Sequence, residues 1–349
     1  MNYKILKITR FYTDFLTKIY TKNKELQNLE YQTQYSFLMK QFFGWADSYE
    51  YHLSEIGYET YQIIANAENL QKQWAKENNV KEEKENIIIE QIKKFRPEIL
   101  FIQDPYSINS DSIVHLKKEL KSLKLIMGYR CAPIGEKEYQ IYNNCDVILT
   151  CSEHLQSHFK KQNLSSEILG HAFDKRILNH INPIKNNDVV FIGNIIEGAG
   201  FHNKRKDLIH TLINEPSISL KVHSEKFNNA KYGLDYFNLL SSSFININSH
   251  IDASENMAGN MRLFETTGVG TCLVTDFKSN LAKLFNINEE LVCYENAEDA
   301  IEKISWLIEN PKKCQEIAKK AQKRTLENYN FSIRARELDL IINRYMKKD

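Results

Sequence analysis

The chain has 349 residues, long for one hydrophobic core and comfortable for two. Its 46 Lys and Arg nearly cancel its 45 Asp and Glu, which excludes a general polyanion binder, so no nucleic-acid partner is expected. The 42% hydrophobic and 26% charged content is that of an ordinary globular protein. No apolar run reaches the ~18 residues of a membrane span, so any membrane contact is expected to be peripheral.

The six cysteines, Cys131, Cys145, Cys151, Cys272, Cys293 and Cys314, form no C-x-x-C pair and no zinc-ligand spacing with histidine. They read as reduced, mostly buried thiols. The start, MNYKILKITRFYTDF, enters a strand-like run without the apolar core of a signal peptide. Both features point to the cytoplasm.

In chain order, short Ile- and Val-rich runs alternate with helical patterns. The expected strands are YKILKIT (3–9), YQIIA (61–65), EILFIQ (98–103), LKLIMGY (123–129), DVILT (146–150) and EILG (167–170). Between the first two lies an aromatic stretch around Phe42, Phe43 and Trp45 that reads as a helical insert shaping an acceptor surface. A second series follows: DVVFIG (188–193), ISLKVH (218–223), FININ (244–248), TCLVT (271–275) and LVCY (291–294). Segments such as IVHLKKELKSL, EHLQSHFKKQN and LAKLFN carry helical spacing, and everything after Cys293 reads as helix. Strands alternating with helices imply parallel sheets of right-handed βαβ units. The predicted fold is α/β: a domain over 1–172, a polar linker over 173–187 containing Pro183, and a domain over 188–349. The helix after Phe331 is expected to return to the first domain.

The most informative segment is GNMRLFETTGVGTCLVTD (259–276). Asn260 can open a helix, Gly268 can end it, and Arg262 and Glu265 share one helix face. A helix start beside an Arg suits a diphosphate, and a carboxylate one turn deeper can accept two ribose hydroxyls. The alternative is a surface Arg–Glu pair on an amphipathic helix; spacing alone leaves both open. A second segment, VVFIGNIIEGAGFHNKRKDLI (189–209), runs from a strand ending at Gly193 through a flexible Gly198–Gly200 loop. His202, Lys204 and Arg205 then lead a helix, a plausible phosphate cradle or a solvated basic surface. Neither segment has the glycine fingerprint of a dinucleotide enzyme or a P-loop ATPase.

Residues 188–340, with N-x-R-x-F-E, G-x-G-x-x-L-V-T-D and a late aromatic helical end, resemble the C-terminal domain of the CgeB-like glycosyltransferases. That group is similar to the retaining glycosyltransferase family 4, whose fold is GT-B, two facing Rossmann-like domains with a helical extension. The N-terminal half is similar more loosely, through FRPEILFIQD, YNNCDVILTCSEH and GHAFD. The resemblance implies a bacterial glycosyltransferase taking a sugar from a nucleotide diphosphate sugar to an unknown acceptor: protein, lipid or glycan. It assigns Glu265 to the donor ribose, Asn260 and Arg262 to the diphosphate, and Arg205, Lys204 and Gly193 to the phosphate-facing loop. Retaining families carry a further glutamate eight residues before that of Glu265, where this chain has Met257, with Glu255 out of register. The anomeric outcome is therefore open.

His250 ends a strand and is expected to reach the ligand edge of its sheet. Asp104, after EILFIQ, has the same place in the first half and is a candidate general base, its competing reading being a helix N-cap or turn residue before Pro105. His171, at the domain junction, is the other candidate base. No D-x-D triplet occurs, so no metal or other cofactor is expected, and Arg, Lys and helix dipoles must stabilise the leaving diphosphate. The remaining alternatives are a GT-B epimerase or phosphorylase and a non-catalytic binding module.

Overall fold

The computed structural model describes residues 3–81, 84–196, 202–254 and 256–347. They form two units, Met1–Leu169 with Arg334–Asp349, and Gly170–Ile333. The first contains β1 (Lys4–Thr9), α1 (Thr13–Lys22), α2 (Tyr31–Met39), α3 (Ser48–Glu55), β2 (Glu59–Ile64), α4 (Glu68–Glu77) and α5 (Lys84–Phe95). It continues with β3 (Ile99–Ile102), α6 (Ser110–Glu119), β4 (Leu125–Tyr129), α7 (Glu136–Tyr142), β5 (Val147–Thr150), α8 (Glu153–Lys161) and β6 (Ser166–Ile168). Its six strands are parallel in the order β2-β1-β3-β4-β5-β6, so the strand order reverses between β1 and β3. Helices cover both faces of such a sheet, which is why the strands read as unbroken apolar runs. Leu6, Ile8, Leu100, Ile102 and Ile126 form the core on one face with Ile88, Ile92, Ile113 and Leu116.

The second unit contains β7 (Asn187–Ile192), α9 (Asn203–Ile213), β8 (Leu220–His223), α10 (Gly233–Ser241), β9 (Ser243–Asn248) and α11 (Met261–Gly268). β10 (Cys272–Asp276), α12 (Leu281–Leu284), β11 (Val292–Tyr294), α13 (Ala297–Glu309) and α14 (Pro311–Asn328) complete it. The five parallel strands run β11-β10-β9-β7-β8, reversing between β7 and β9. Residues 173–187, read from the sequence as a linker, belong to this unit. Phe173 N–H bonds Tyr329 O at 2.9 Å, and Lys185 Nζ donates to Ser243 O at 2.6 Å. Burial pulls the Lys185 ammonium down to about 8.

α15 (Phe331–Met346) starts in the second unit and belongs to the first from Arg334 onward. There Asp339 accepts from Tyr58 OH at 2.7 Å, Tyr345 OH meets Ser165 Oγ at 2.8 Å, and Arg344 pairs with Glu167 at 3.0 Å. Leu338, Ile341 and Ile342 are buried beside these bonds.

Two expectations are corrected. The aromatic insert is helical, but Phe42 and Trp45 are buried, and Trp45 packs edge-on against Tyr49 and Tyr129. Phe43 stacks on Phe15 at 4.2 Å between ring centroids. Phe42 and Trp45 are thus core and not an exposed surface, while Phe43 is half-buried. Cys131 and Cys151, just past β4 and β5, are joined as a disulfide, and only Cys145, Cys272, Cys293 and Cys314 are free thiols. The two strands are parallel neighbours, so residues 20 apart in sequence meet at one sheet edge.

The insert is fastened to the sheet by a buried cation. Lys7, on the central strand β1, has 1% of its surface exposed; Nζ lies 2.8 Å from Glu50 and 3.2 Å from Ala46 O. Burial pushes the Glu50 carboxyl above its ordinary value despite the Lys7 charge beside it. Lys7→Met should cost about 3–5 kcal/mol at neutral pH, because Glu50 is left buried without a counter-ion. With the folded pKa above the unfolded one, that penalty should shrink as pH falls and Glu50 takes up a proton. The double variant Lys7→Met/Glu50→Leu should regain most of the loss in urea titrations; a double variant as weak as the single would show that the pair is not the origin.

Candidate functional site

In the second unit the edge at the carboxyl ends of β7, β9 and β10 gathers most of the residues singled out from the sequence. α11 is built to start there. The Asn260 side chain caps it by accepting from Leu263 N–H at 3.3 Å, while its Nδ2 donates to Asn248 Oδ1 at 3.0 Å. Asn248, wholly buried at the end of β9, donates in turn to Thr275 Oγ1 at 2.9 Å on β10. The helix start is thus registered to the sheet through two amides. Its other end closes with Thr271 N–H on Thr266 O and Gly270 N–H on Thr267 O, with Gly270 at φ +77°. The left-handed stop is therefore Gly270. Gly268, the expected stop, is glycine because a Cβ there would lie 2.3 Å from the Phe173 ring.

Arg262 and Glu265 occupy neighbouring positions on this helix, and the Tyr236 hydroxyl lies beside both. Glu265 accepts from Tyr236 OH at 2.8 Å. Burial raises its carboxyl above the ordinary range, against the Tyr236 bond and the Arg262 charge. Arg262 extends to the end of β7, where a Cβ on Gly193 would be 3.3 Å from both Nη atoms. A side chain at 193 would crowd the guanidinium. Arg262 Nε is buried with no hydrogen-bond partner, and among the described residues Arg262 has no carboxylate within 4 Å.

Arg205 is buried at the first turn of α9. Nε and Nη2 donate to Ser249 O at 3.2 and 2.6 Å, and Nη1 donates to Asn194 O at 2.9 Å. It ties the loop after β7 to the loop after β9, across the point where the strand order reverses. It acts as a strut, and two of its N–H groups are left over. Burial, and then the nearby Arg262 charge, pull it down to about 10. Lys204 beside it is exposed. His202 Nδ1 accepts from Ile196 N–H at 3.2 Å. The Gly198–Gly200 loop and Glu255 lie outside the described residues.

His250 follows β9 and is 4% exposed. Its Nδ1 meets Asp276 Oδ1 at 2.7 Å, its backbone N–H bonds the same oxygen at 3.0 Å, and its Nε2 is buried without a partner. Burial alone would raise the Asp276 carboxyl, yet the His250 contacts and Lys278 hold it below its ordinary value. Asp276 and Tyr236 were not among the expected site residues. Asp276 had a signal, since it ends a strand at the same sheet edge as His250; Tyr236, inside α10, had none.

The two candidate bases fall in different units. Asp104, in the first, accepts from Tyr106 N–H at 2.9 Å, the turn geometry that its place before Pro105 suggested. Burial raises its carboxyl above the ordinary value, against that bond and the Arg10 and Arg130 charges. His171, nearly buried, stands at the start of the second unit.

A family model described as "Glycosyl transferase-like" matches residues 204–339. No curated protein matches the chain. Among solved structures it is similar to a glycosyltransferase from Rickettsia africae ESF-5, at 11% identity over 100% of both chains with a TM-score of 0.60. It is similar to an alpha-glucosyltransferase in complex with UDP-glucose and DNA containing an abasic site, at 12% identity over 98% and 100% of the two chains (TM-score 0.58). It is also similar to Anabaena Alr3699/HepE in complex with UDP-glucose, at 9% identity over 98% and 100% (TM-score 0.59). Two parallel sheets wrapped by helices, matching these structures over their whole length, make this a GT-B fold.

Proposed function

We propose that the chain is a CgeB-like glycosyltransferase that moves a sugar from a nucleoside diphosphate donor, held by the second unit, to an acceptor hydroxyl. The observation that carries this reading is Arg262, a half-buried cation with no carboxylate within 4 Å among the described residues, given room by Gly193 where the strand order reverses. An anion there is met by Arg262, by the field of Arg205 and by exposed Lys204. Glu265, one turn along α11, is placed to accept the ribose hydroxyls, and His250 Nε2 offers a polar contact to the sugar. In transfer, the bond from the anomeric carbon to the diphosphate oxygen breaks and the diphosphate leaves with the electron pair. The acceptor oxygen bonds that carbon and gives its proton to a base. Stabilising the departing diphosphate is electrostatic work that fixed cations can do. The similar structures that hold UDP-glucose make UDP the first probe.

Arg262→Ala and Glu265→Ala should each weaken UDP binding by about tenfold or more, as loss of a hydrogen bond to a charged group does, without lowering the melting temperature. Because the Glu265 carboxyl titrates above its ordinary value, binding should weaken as pH falls and Glu265 loses its acceptor capacity. Calorimetric titration showing unchanged affinity in both variants would remove this donor site.

Turnover of a nucleotide sugar should survive a chelator, since Arg262, Arg205 and Lys204 take the place of a divalent ion. Strict dependence on Mg²⁺ or Mn²⁺ contradicts this.

Asp104 is the favoured base, its raised carboxyl being a better proton acceptor near neutrality than an ordinary aspartate. Asp104→Asn should cut turnover by about a hundredfold with UDP binding retained. A variant with near-normal turnover moves the role to His171. A product that is an epimer of the donor, with no transfer to acceptor or water, would replace the transferase reading with an epimerase.

A further inference from the structure

The first unit has its own reversal of strand order, between β1 and β3, and the residues just beyond it form a row. Ile8 pairs with Ile102, and Ile102 with Gly128. Two residues beyond these positions, past the ends of the strands, stand Arg10, Asp104 and Arg130 at the carboxyl edge of the sheet. The row is polar and only part of its hydrogen-bonding capacity is used. Among the described residues neither guanidinium lies within 4 Å of the Asp104 carboxylate, and only Asp104 Oδ1 is engaged, by Tyr106 N–H. Arg130 Nη2 reaches Pro133 O at 3.2 Å and Glu138 at 3.5 Å, while its Nε is buried with no partner. Arg10 is exposed.

Two tyrosine rings flank the row, each two residues beyond one of its members. Tyr12 is 59% exposed and Tyr106 is 55% exposed. Neither is loose: Tyr12 packs edge-on against Phe43 at 5.2 Å, and the Tyr106 hydroxyl is bonded to Glu138. Rings pinned at one end and open on a face suit the C–H face of a pyranose, while planar guanidinium and carboxylate groups match pairs of adjacent hydroxyls. The charges of Arg10 and Arg130 are balanced by those of Asp104 and Glu138, leaving no surplus to draw a phosphate or carboxylate. We infer that this edge is a binding site for a neutral saccharide, with Arg10, Asp104 and Arg130 on its hydroxyls and Tyr106 and Tyr12 on its ring. Resting on the glycosyltransferase reading, it makes the acceptor a glycan end, not a lipid, peptide or polyol phosphate.

The test uses the full chain without nucleotide. Saturation-transfer NMR is recorded with maltose, cellobiose, lactose and N,N′-diacetylchitobiose, and with glucose 6-phosphate and glycerol 3-phosphate for comparison; UDP is titrated separately. At least one neutral disaccharide should bind and outcompete the phosphates. Arg10→Gln, Tyr106→Ala and Arg130→Lys, the last keeping the charge if loss of the side chain harms folding, should each weaken it by about tenfold, ~1.4 kcal/mol. UDP affinity should stay the same in all three. The inference is overturned if no disaccharide binds while UDP does, if the phosphates bind instead, or if the variants leave saccharide affinity unchanged. A chain that takes saccharide but not UDP counts against the donor site and leaves this one standing.

Discussion

The arrangement of the second unit depends on a cation that has lost its water. Arg205 is buried, draws three hydrogen bonds from two backbone carbonyls, and has no carboxylate against it among the described residues. Those carbonyls belong to the loops after β7 and β9, which diverge where the strand order reverses. Without a bridge, both would present unpaired carbonyl groups to a crevice. The loop after β9 leads on to Asn260, whose amide joins the α11 start to Asn248, so the position of Arg262 is inherited from the strut. A second guanidinium near the first is electrostatically unfavourable, and an anion between them relieves it.

Much of this was legible in the chain because the governing patterns are local. All eleven expected strands are present, since burial on both faces turns each into an apolar run that needs no partner to be seen. Asn260 at a helix start was equally plain, its role being fixed by residues three positions away. Less was legible where the partner is distant. Arg205 at a helix start reads as a phosphate ligand, and its second task, holding Ser249 O 44 residues away, has no local sign. Tyr236 meets Glu265 across 29 residues, which no periodicity announces. Gly268 and Gly270 are alike in sequence, yet one makes room for Phe173 and the other turns the backbone left-handed. The aromatic residues 42–45 carry no sign of whether they face outward or inward; β1, α1 and β4 decide that.

The two units use one device twice. Each is a parallel sheet whose strand order reverses once, and each sets arginines just beyond the reversal. They differ in how the charge is answered. In the second unit Arg262 has no carboxylate within 4 Å among the described residues. In the first, the two charges of Arg10 and Arg130 face the two of Asp104 and Glu138. The proposed anionic leaving group and the inferred neutral acceptor would suit that asymmetry.

The first unit is also discontinuous, since its final helix is encoded after the whole of the second. During synthesis a chain that has reached residue 169 has all six strands of its first sheet and still lacks the apolar face of Leu338, Ile341 and Ile342. Tyr58, Ser165 and Glu167 must wait for partners more than 160 residues downstream. The amino-terminal half is therefore synthesised before the helix that supplies these partners. Its completion is timed by the folding of its neighbour, a vulnerability set by gene order that no equilibrium measurement on the finished protein would reveal.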